Sequence, residues 1–275
     1  MSPVGARSWQ KGRVSMKVGD VKAIVFSGAG TTRAAAERMG AAFGLPFKLC
    51  DITPQGANAP DFGMGELAIF AVPAFGGRVP APALERIAAC TGDETPAVLM
   101  VTYGNRAVDD TFLELADTVA EHGFVPVAGV AVVAHHSLMT NVAIGRPDEE
   151  DFQVVDSVAR DVLAKLAAVS RAGEAELREI PGSRPYTPYG GVPFKAQADE
   201  SLCTACGACA AQCPVGAIDA ENPSQTDADA CISCTRCIAA CPVQARALSG
   251  GDMLESARAG FAAQFGEPKE SYVLI

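Results

Sequence analysis

The chain has 275 residues, 49% of them hydrophobic and 20% charged, which is typical of a globular protein with one sizeable domain and a smaller one. Its formal net charge of −10 argues against nucleic acid as a partner, since nucleic-acid binding needs a basic face. No apolar run is as long as a membrane span, so we expect no membrane partner either.

The first twenty residues contain four basic residues but no apolar core, so we expect no secretory signal. We predict a disordered tail over residues 1–20. The patterned sequence begins directly after Met16, and the sequence leaves open whether Met1 or Met16 is the start.

Residues 21–170 alternate strand-like and helix-like segments and are predicted to form the larger domain. Short β-rich apolar runs predict strands at 22–26, 47–52, 67–72, 97–102 and 125–134. Helical spacing of apolar residues predicts helices at 31–43, 83–90, 109–122 and 149–169. Five strands separated by helices predict an α/β fold, with a parallel sheet covered by helices on both faces.

Three loops rich in glycine, hydroxyls and aromatics follow strands of this sheet, at 27–32, 73–80 and 102–106. Ligands of such sheets bind at the carboxyl ends of the strands, so these loops predict the binding crevice. Two adjacent histidines, His135 and His136, end the fifth strand near it. One could donate to a ligand, but we favour packing of one and solvation of the other.

The loop after the first strand consists of Ser27, Gly28, Ala29, Gly30, Thr31 and Thr32. Backbone N–H groups at a helix N-terminus, together with hydroxyls, predict a phosphate site. A dinucleotide fingerprint would need a third glycine where Arg33 stands, and a Walker loop would need a lysine. A tight turn without any ligand remains an alternative.

Residues 171–198 change in composition and become rich in proline and glycine. We predict an extended, semi-rigid linker here. At the other end of the chain, residues 251–275 are predicted to form a helix, over 251–265, followed by a tail.

Eight of the ten cysteines lie in residues 199–250, in two copies of one spacing that are 28 positions apart. Each copy reads C-x2-C-x2-C-x3-C-P, which is the bacterial pattern for [4Fe–4S] ligation. In this pattern the fourth cysteine of each run binds the other cluster. We therefore assign one cluster to Cys203, Cys206, Cys209 and Cys241, and the second to Cys231, Cys234, Cys237 and Cys213.

Two other interpretations of the cysteines are weaker. Disulfides need an oxidising compartment, and zinc sites do not need two identical runs that each end in Cys-Pro. Thiolates committed to iron indicate a reducing compartment, so we expect the cytoplasm. Formal charge over 199–249 is −4, which predicts a redox protein partner with a basic docking face. The oligomeric state stays unknown.

The cysteine segment resembles bacterial two-cluster ferredoxins, which are small α+β domains. Over residues 21–250 the chain looks like prokaryotic fusions of a flavodoxin-like domain with such a ferredoxin domain. The first loop is similar to a flavodoxin phosphate loop, except that Ala29 stands where threonine is preferred. Further support comes from the segments 72–80, 101–106, 136–137 and 145–148.

The resemblance implies FMN in the larger domain, with its phosphate held by residues 27–32. It implies that two further loops flank the flavin ring, with Phe75 and Tyr103 as ring partners. The residues concerned are Pro73, Ala74, Phe75, Gly76, Gly77, Thr102, Tyr103, Gly104 and Asn105.

Electron transfer between a redox partner and FMN through two [4Fe–4S] clusters is the activity that the resemblance implies. We favour a carrier over a substrate-specific enzyme, and we predict no catalytic residues. An FMN-dependent reductase of an unidentified substrate, and a ferredoxin whose flavodoxin-like domain is structural and flavin-free, remain open.

Overall fold

The apolar runs of the larger domain form a sheet at the predicted places. The computed structural model describes residues 15–275. The five predicted strands are confirmed, with shifted ends: β1 (Asp20–Val25), β2 (Phe47–Asp51), β3 (Glu66–Pro73), β4 (Thr95–Tyr103) and β5 (Phe124–Val133). All five are parallel, and their order across the sheet is β2-β1-β3-β4-β5. This is the flavodoxin-like doubly wound order, in which the strand sequence reverses direction beside β1.

Four helices cover the two faces of the sheet: α1 (Thr31–Ala42), α2 (Ala81–Ile87), α3 (Thr111–Glu121) and α4 (Glu149–Ala167). Apolar side chains of α1 and α4 form one core with one face of the strands, and those of α2 and α3 form a second core with the other face. The central strands are buried on both faces, which explains why they are continuous apolar runs. Within residues 15–275, no helix combines the length and the apolar character that crossing a bilayer requires.

The predicted tail at the C-terminus is corrected in part, because it adds a sixth strand to the sheet. Strand β8 (Tyr272–Leu274) pairs antiparallel with β5. Ser271 fastens it, since its Oγ accepts from the backbone N of Val133 at 3.0 Å and donates to Asp151 at 2.5 Å. Three residues are too short a run to show a periodic pattern, so the sequence carried no signal for this strand.

The N-terminal prediction is corrected in its last residues only. The backbone N of Met16 donates to the carbonyl of Val169 at 2.8 Å, and β1 already begins at Asp20. Residues 15–20 therefore belong to the larger domain. The rest of the predicted disordered tail, residues 1–14, lies outside the described residues.

The cysteine-rich segment folds as a small domain with visible internal symmetry. It contains β6 (Ala196–Ala198), α5 (Ala208–Ala211), α6 (Arg236–Ala239) and β7 (Arg246–Leu248). The two four-residue helices lie 28 positions apart, and β6 pairs antiparallel with β7. Helix α7 (Gly251–Phe265) follows, as predicted.

The linker runs along α3, and hydrogen bonds hold it there. After a short 3-10 helix (Ala172–Ala175), its backbone donates to the carboxylate of Asp110 from Ser183 at 2.8 Å and from Thr187 at 2.7 Å. Arg184 and Tyr186 both contact Asp117. These bonds hold the linker, which leads to the small domain, at a defined place on the larger domain.

Candidate functional site

A cavity of about 320 Å³ lies at the carboxyl ends of the strands, which is within the usual size range of cofactor sites. Twelve of the fifteen residues predicted for flavin binding line it. They are Gly28, Ala29, Thr31, Thr32, Pro73, Ala74, Phe75, Gly76, Gly77, Thr102, Tyr103 and Gly104. The three predicted loops thus meet around one space.

The β1 end of the cavity has the features of a phosphate site. Helix α1 begins at Thr31, directly after Gly30, whose φ of 101° lies in the left-handed region that favours glycine. Within the described residues, Gly30 provides no capping side chain and no acidic residue lies in the first turn. The backbone N of Arg33 already bonds to Ser27, so the N–H groups of Thr31 and Thr32 are the ones free to bind an anion.

Three predicted residues lie outside the cavity lining. Ser27 is buried behind the loop, where its Oγ accepts from the backbone N of Arg33 at 3.2 Å, and Gly30 forms the turn into α1. Asn105 has a different task, because its side-chain amide donates to the carbonyls of Phe265 and Glu267. Asn105 thus holds the end of α7 in place, and its side-chain amide is already used there.

The loop after β3 is a tight turn whose tip consists of two glycines. Phe75 and Arg78 bond to each other through their backbones, and both Gly76 and Gly77 have positive φ. A β-carbon on Gly76 would lie 2.3 Å from the ring of Tyr189, which comes from the linker. Glycine is therefore needed where the linker closes over this loop.

Of the two predicted ring partners, Phe75 is partly exposed at the cavity, whereas Tyr103 is nearly buried. The hydroxyl of Tyr103 donates to the carbonyl of Glu270 at 3.1 Å, and burial raises its pKa to about 12. Tyr103, which is 4% exposed, thus offers a ligand little surface.

Much of the cavity wall comes from residues outside the fifteen that were predicted for flavin binding. These residues are Arg106, Ala107, Ala134, His135, His136, Ser137, Leu138, Met139, Tyr189, Val192, Ile232, Ser233, Cys234 and Phe261. They belong to the ends of β4 and β5, the linker, the small domain and α7. The cavity is complete only when all of these parts are folded together.

His136 lies at the β5 end of the cavity as a neutral hydrogen-bond donor. Its Nδ1 accepts from the backbone N of Leu138 and of Met139, both at 3.2 Å, so its proton is on Nε2. The ring of Phe261 meets it edge-on, with centroids 4.9 Å apart. Burial, with smaller contributions from His135 and Arg106, lowers the pKa of His136 to about 4.

We expect this histidine to make stability depend on pH. Its folded pKa of about 4 lies below the unfolded value of about 6.5. Between these values the unfolded chain binds more protons, so the free energy of unfolding falls as the pH falls and is fully restored above pH 6.5. Changing His136→Asn keeps an acceptor for the two N–H groups and should remove about 1–2 kcal/mol of the loss between pH 6.5 and 5. Anaerobic urea unfolding at the two pH values measures this, and equal losses in both proteins would contradict it.

The cysteines surround two small cavities in the groups that the spacing predicted. Cys203, Cys206, Cys209 and Cys241 line one, and Cys213, Cys231, Cys234 and Cys237 line the other. All ten cysteines are free thiols. Among residues 15–275, no three side chains of His, Cys, Asp or Glu are grouped so as to hold a single metal ion. Each group of four cysteines instead surrounds a small cavity, as the ligands of an iron–sulfur cluster would. Ligation of a cluster by these cysteines stays a prediction.

Backbone amides point at the sulfurs symmetrically in the two halves. The backbone N of Ala217 donates to Sγ of Cys213, and that of Ala245 donates to Sγ of Cys241, both at 3.2 Å. Such bonds stabilise thiolate and tune a bound cluster. Burial raises the pKa of Cys234 to about 12, so metal binding at this thiol has to displace a proton.

The second cysteine group lies directly against the phosphate loop. A β-carbon on Gly28 would lie 2.0 Å from the carbonyl O of Cys234, so the two backbones are in contact. Arg236 strengthens this contact between the two domains, because its side chain donates to the carbonyl of Ser27 at 3.1 Å and to the carboxylate of Asp51 at 2.9 Å. From the other side, the backbone N of Gln55 donates to the carbonyl of Cys213 at 3.2 Å.

Comparison with known proteins identifies the small domain. Residues 195–242 match the family of 4Fe-4S dicluster domains. No curated protein sequence matches the chain.

Solved structures that resemble the larger domain include a flavodoxin from Streptococcus pneumoniae TIGR4, with 17% identity, a TM-score of 0.39, and coverage of 54% of this chain and 99% of that one. A short-chain flavodoxin associated with a PDU bacterial microcompartment has 12% identity, a TM-score of 0.36, and coverage of 55% and 99%. These likenesses are distant, and the strand order of the sheet defines the fold. The chain joins a domain of flavodoxin-like topology to a 4Fe-4S dicluster domain.

Proposed function

We propose that this protein is an electron-transfer iron–sulfur flavoprotein, in which two [4Fe–4S] clusters connect a redox partner to FMN. The observation that carries the proposal is that Cys234 of the second cysteine group, with its neighbours Ile232 and Ser233, forms part of the wall of the strand-end cavity. A cofactor in that cavity would lie next to a cluster held by these thiols. The bound clusters would supply one-electron transfer, and FMN would supply storage for two electrons.

The residues of the cavity fit FMN in kind and in position. The start of α1 offers N–H groups and hydroxyls for a phosphate, and Phe75 offers an aromatic face for a ring. Tyr189, Phe261 and His136 also line the space and would shield a bound ring from water.

The arrangement of the cysteine groups supports a direction for the electrons. In the first group, Cys206 is exposed, and the apolar side chains of Leu202 and Val243 are exposed as well, at 53% and 41%. The second group faces the larger domain. We therefore propose that electrons enter at the first cluster and reach the flavin from the second.

The charge of the small domain supports a partner with a basic docking face. Its six acidic residues are all exposed: Asp199, Glu200, Asp219, Glu221, Asp227 and Asp229. Its two basic residues point inward, because Arg246 is 4% exposed and Arg236 is bound at the domain seam. The exposed charged residues of this segment are thus all acidic, and docking should weaken as salt is raised. With thiols committed to iron, we propose a cytoplasmic location.

An anaerobic redox titration of the reconstituted full chain, with analysis of iron, sulfide and FMN, tests the proposal. We expect eight iron atoms for each chain, together with a flavin band that bleaches on reduction. Full iron content without a flavin band would eliminate the flavin part and leave a ferredoxin with a structural companion domain. Steady turnover of a small acceptor by the isolated chain would favour a reductase over a carrier.

A further inference from the structure

We infer that Ser233, a residue of the small domain, donates a hydrogen bond to a phosphate monoester bound at the start of α1 in the larger domain. This inference rests on the proposed function and deepens it, because the phosphate is that of the proposed FMN. The site would then be shared by two domains, and flavin binding would be linked to the docking of the iron–sulfur domain.

The phosphate loop lacks one hydroxyl within its own domain. Ala29 lines the cavity without any polar side-chain atom. The hydroxyl of Thr32 is already engaged with that of Thr102, at 2.6 Å between the two oxygens. Within the described residues, Thr31 is therefore the loop residue whose cavity-lining hydroxyl is left to donate to a phosphate at the start of α1.

Ser233 provides a hydroxyl at this place. It is 4% exposed and lines the same cavity as Gly28 and Ala29. Its Oγ has almost no accessible surface and no hydrogen-bond partner among the described residues, so rotation about the Cα–Cβ bond would bring this hydroxyl to a ligand in the cavity. Burying an unpaired hydroxyl is costly, so such a group usually has a partner that completes it. The contact between Gly28 and the neighbouring Cys234 brings Ser233 to the loop.

The internal repeat offers a comparison within the chain. Ser233 corresponds to Ala205 of the first repeat, 28 positions earlier, and both have left-handed backbones, with φ of 58° and 54°. The left-handed backbone thus occurs at this position in both repeats, and the residue there does not need a hydroxyl to adopt it. Ala205 is exposed, whereas Ser233 faces the other domain. The hydroxyl is present only in the repeat that meets the cavity.

A second hydroxyl in the same loop is already used. Thr235 corresponds to Gly207 of the first repeat, and its Oγ1 donates to the carbonyl of Cys234 at 2.7 Å. Thr235 therefore supports the loop, which leaves Ser233 as its available donor. The nearby carboxylate of Asp51 does not oppose an anion strongly, since Arg236 pairs with it at 2.9 Å.

The test compares FMN with riboflavin, which lacks the phosphate, in anaerobic binding titrations of the iron-loaded full chain. We expect Ser233→Ala to weaken FMN binding about tenfold, as the loss of one hydrogen bond to a charged group would, and to leave riboflavin binding unchanged. Thr235→Ala is the matched control and should not alter the ratio of the two affinities. The inhibition constant of inorganic phosphate, measured by competition with FMN, should rise in Ser233→Ala by about the same factor as the Kd of FMN.

An equal change for both flavins, no change for FMN, or the same loss of FMN preference in Thr235→Ala would overturn the inference. If Ser233→Ala loses iron, Ser233→Gly, which suits the left-handed backbone, takes its place in the same titration. A wild-type protein that binds neither flavin would overturn the flavin part of the proposed function itself. A wild type that prefers FMN, with a preference unchanged in Ser233→Ala, would overturn only the role of Ser233.

Discussion

Replacing Cys241 with alanine should empty the first cluster site, and replacing Cys213 should empty the second, although each cysteine lies in the other sequence run. Each variant should lose about half of its iron and acid-labile sulfide. The reason is spatial, because Cys241 shares a cavity with Cys203, Cys206 and Cys209, while Cys213 lies with the other group. Iron and sulfide analysis after anaerobic purification gives the first measurement.

The cluster that remains in each variant can be identified by how exposed its cysteine ligands are to solvent. Cys206 of the first group is exposed, whereas Cys234 and Cys237 of the second are buried. A ferrous chelator should therefore extract iron slowly from Cys241→Ala and quickly from Cys213→Ala. Cys50→Ala, which changes a thiol outside both groups, should retain all its iron. The reverse order of extraction would mean that each run binds its own cluster.

Replacing Gly28 with alanine, which adds a single methyl group, should open the contact between the two domains. The β-carbon of Gly28→Ala would lie 2.0 Å from the carbonyl O of Cys234, and backbone at such a distance has to move. Overpacking of this kind costs roughly 1–3 kcal/mol. We expect full iron content, slower bleaching of the flavin band after cluster reduction, and faster hydrogen exchange in residues 231–237.

The control for this prediction is Gly173→Ala, where an added β-carbon meets open space. Gly173→Ala should keep the wild-type rate of flavin reduction and the wild-type exchange of residues 231–237. If Gly28→Ala leaves both the hydrogen exchange of residues 231–237 and the rate of flavin reduction unchanged, the two domains are not in contact here in solution.

The secondary structure of the larger domain was predictable because its signals are local. Each buried strand is a continuous apolar run, and each helix repeats its apolar residues at helical spacing. Strand β8 was missed because three residues carry no period, and because its place beside β5 depends on Ser271 and Asp151, which are far apart in the sequence.

The candidate site was predictable only where the loops follow the strands. Residues 73–77 were identified because they end β3, and they line the cavity. Asn105 lies outside the cavity lining, and nothing in its own loop reveals that it bonds to the end of α7. His136 was placed only near the crevice, because the backbone of the next loop decides how its ring is oriented. Ser233 was not assigned to it, because Ser233 belongs to a different domain.

The sequence by itself determined the sheet, the paired cysteine runs and the phosphate-type loop, because each of these is encoded by residues close together in the chain. Only the tertiary structure decided which segments complete the cavity wall and which cysteine group lies beside the cavity. Those contacts join Gly28 to Cys234 and Asp51 to Arg236 across more than half of the chain. Spacing along the chain carries no information about such pairs, since they form only when the linker and the small domain are folded against the sheet.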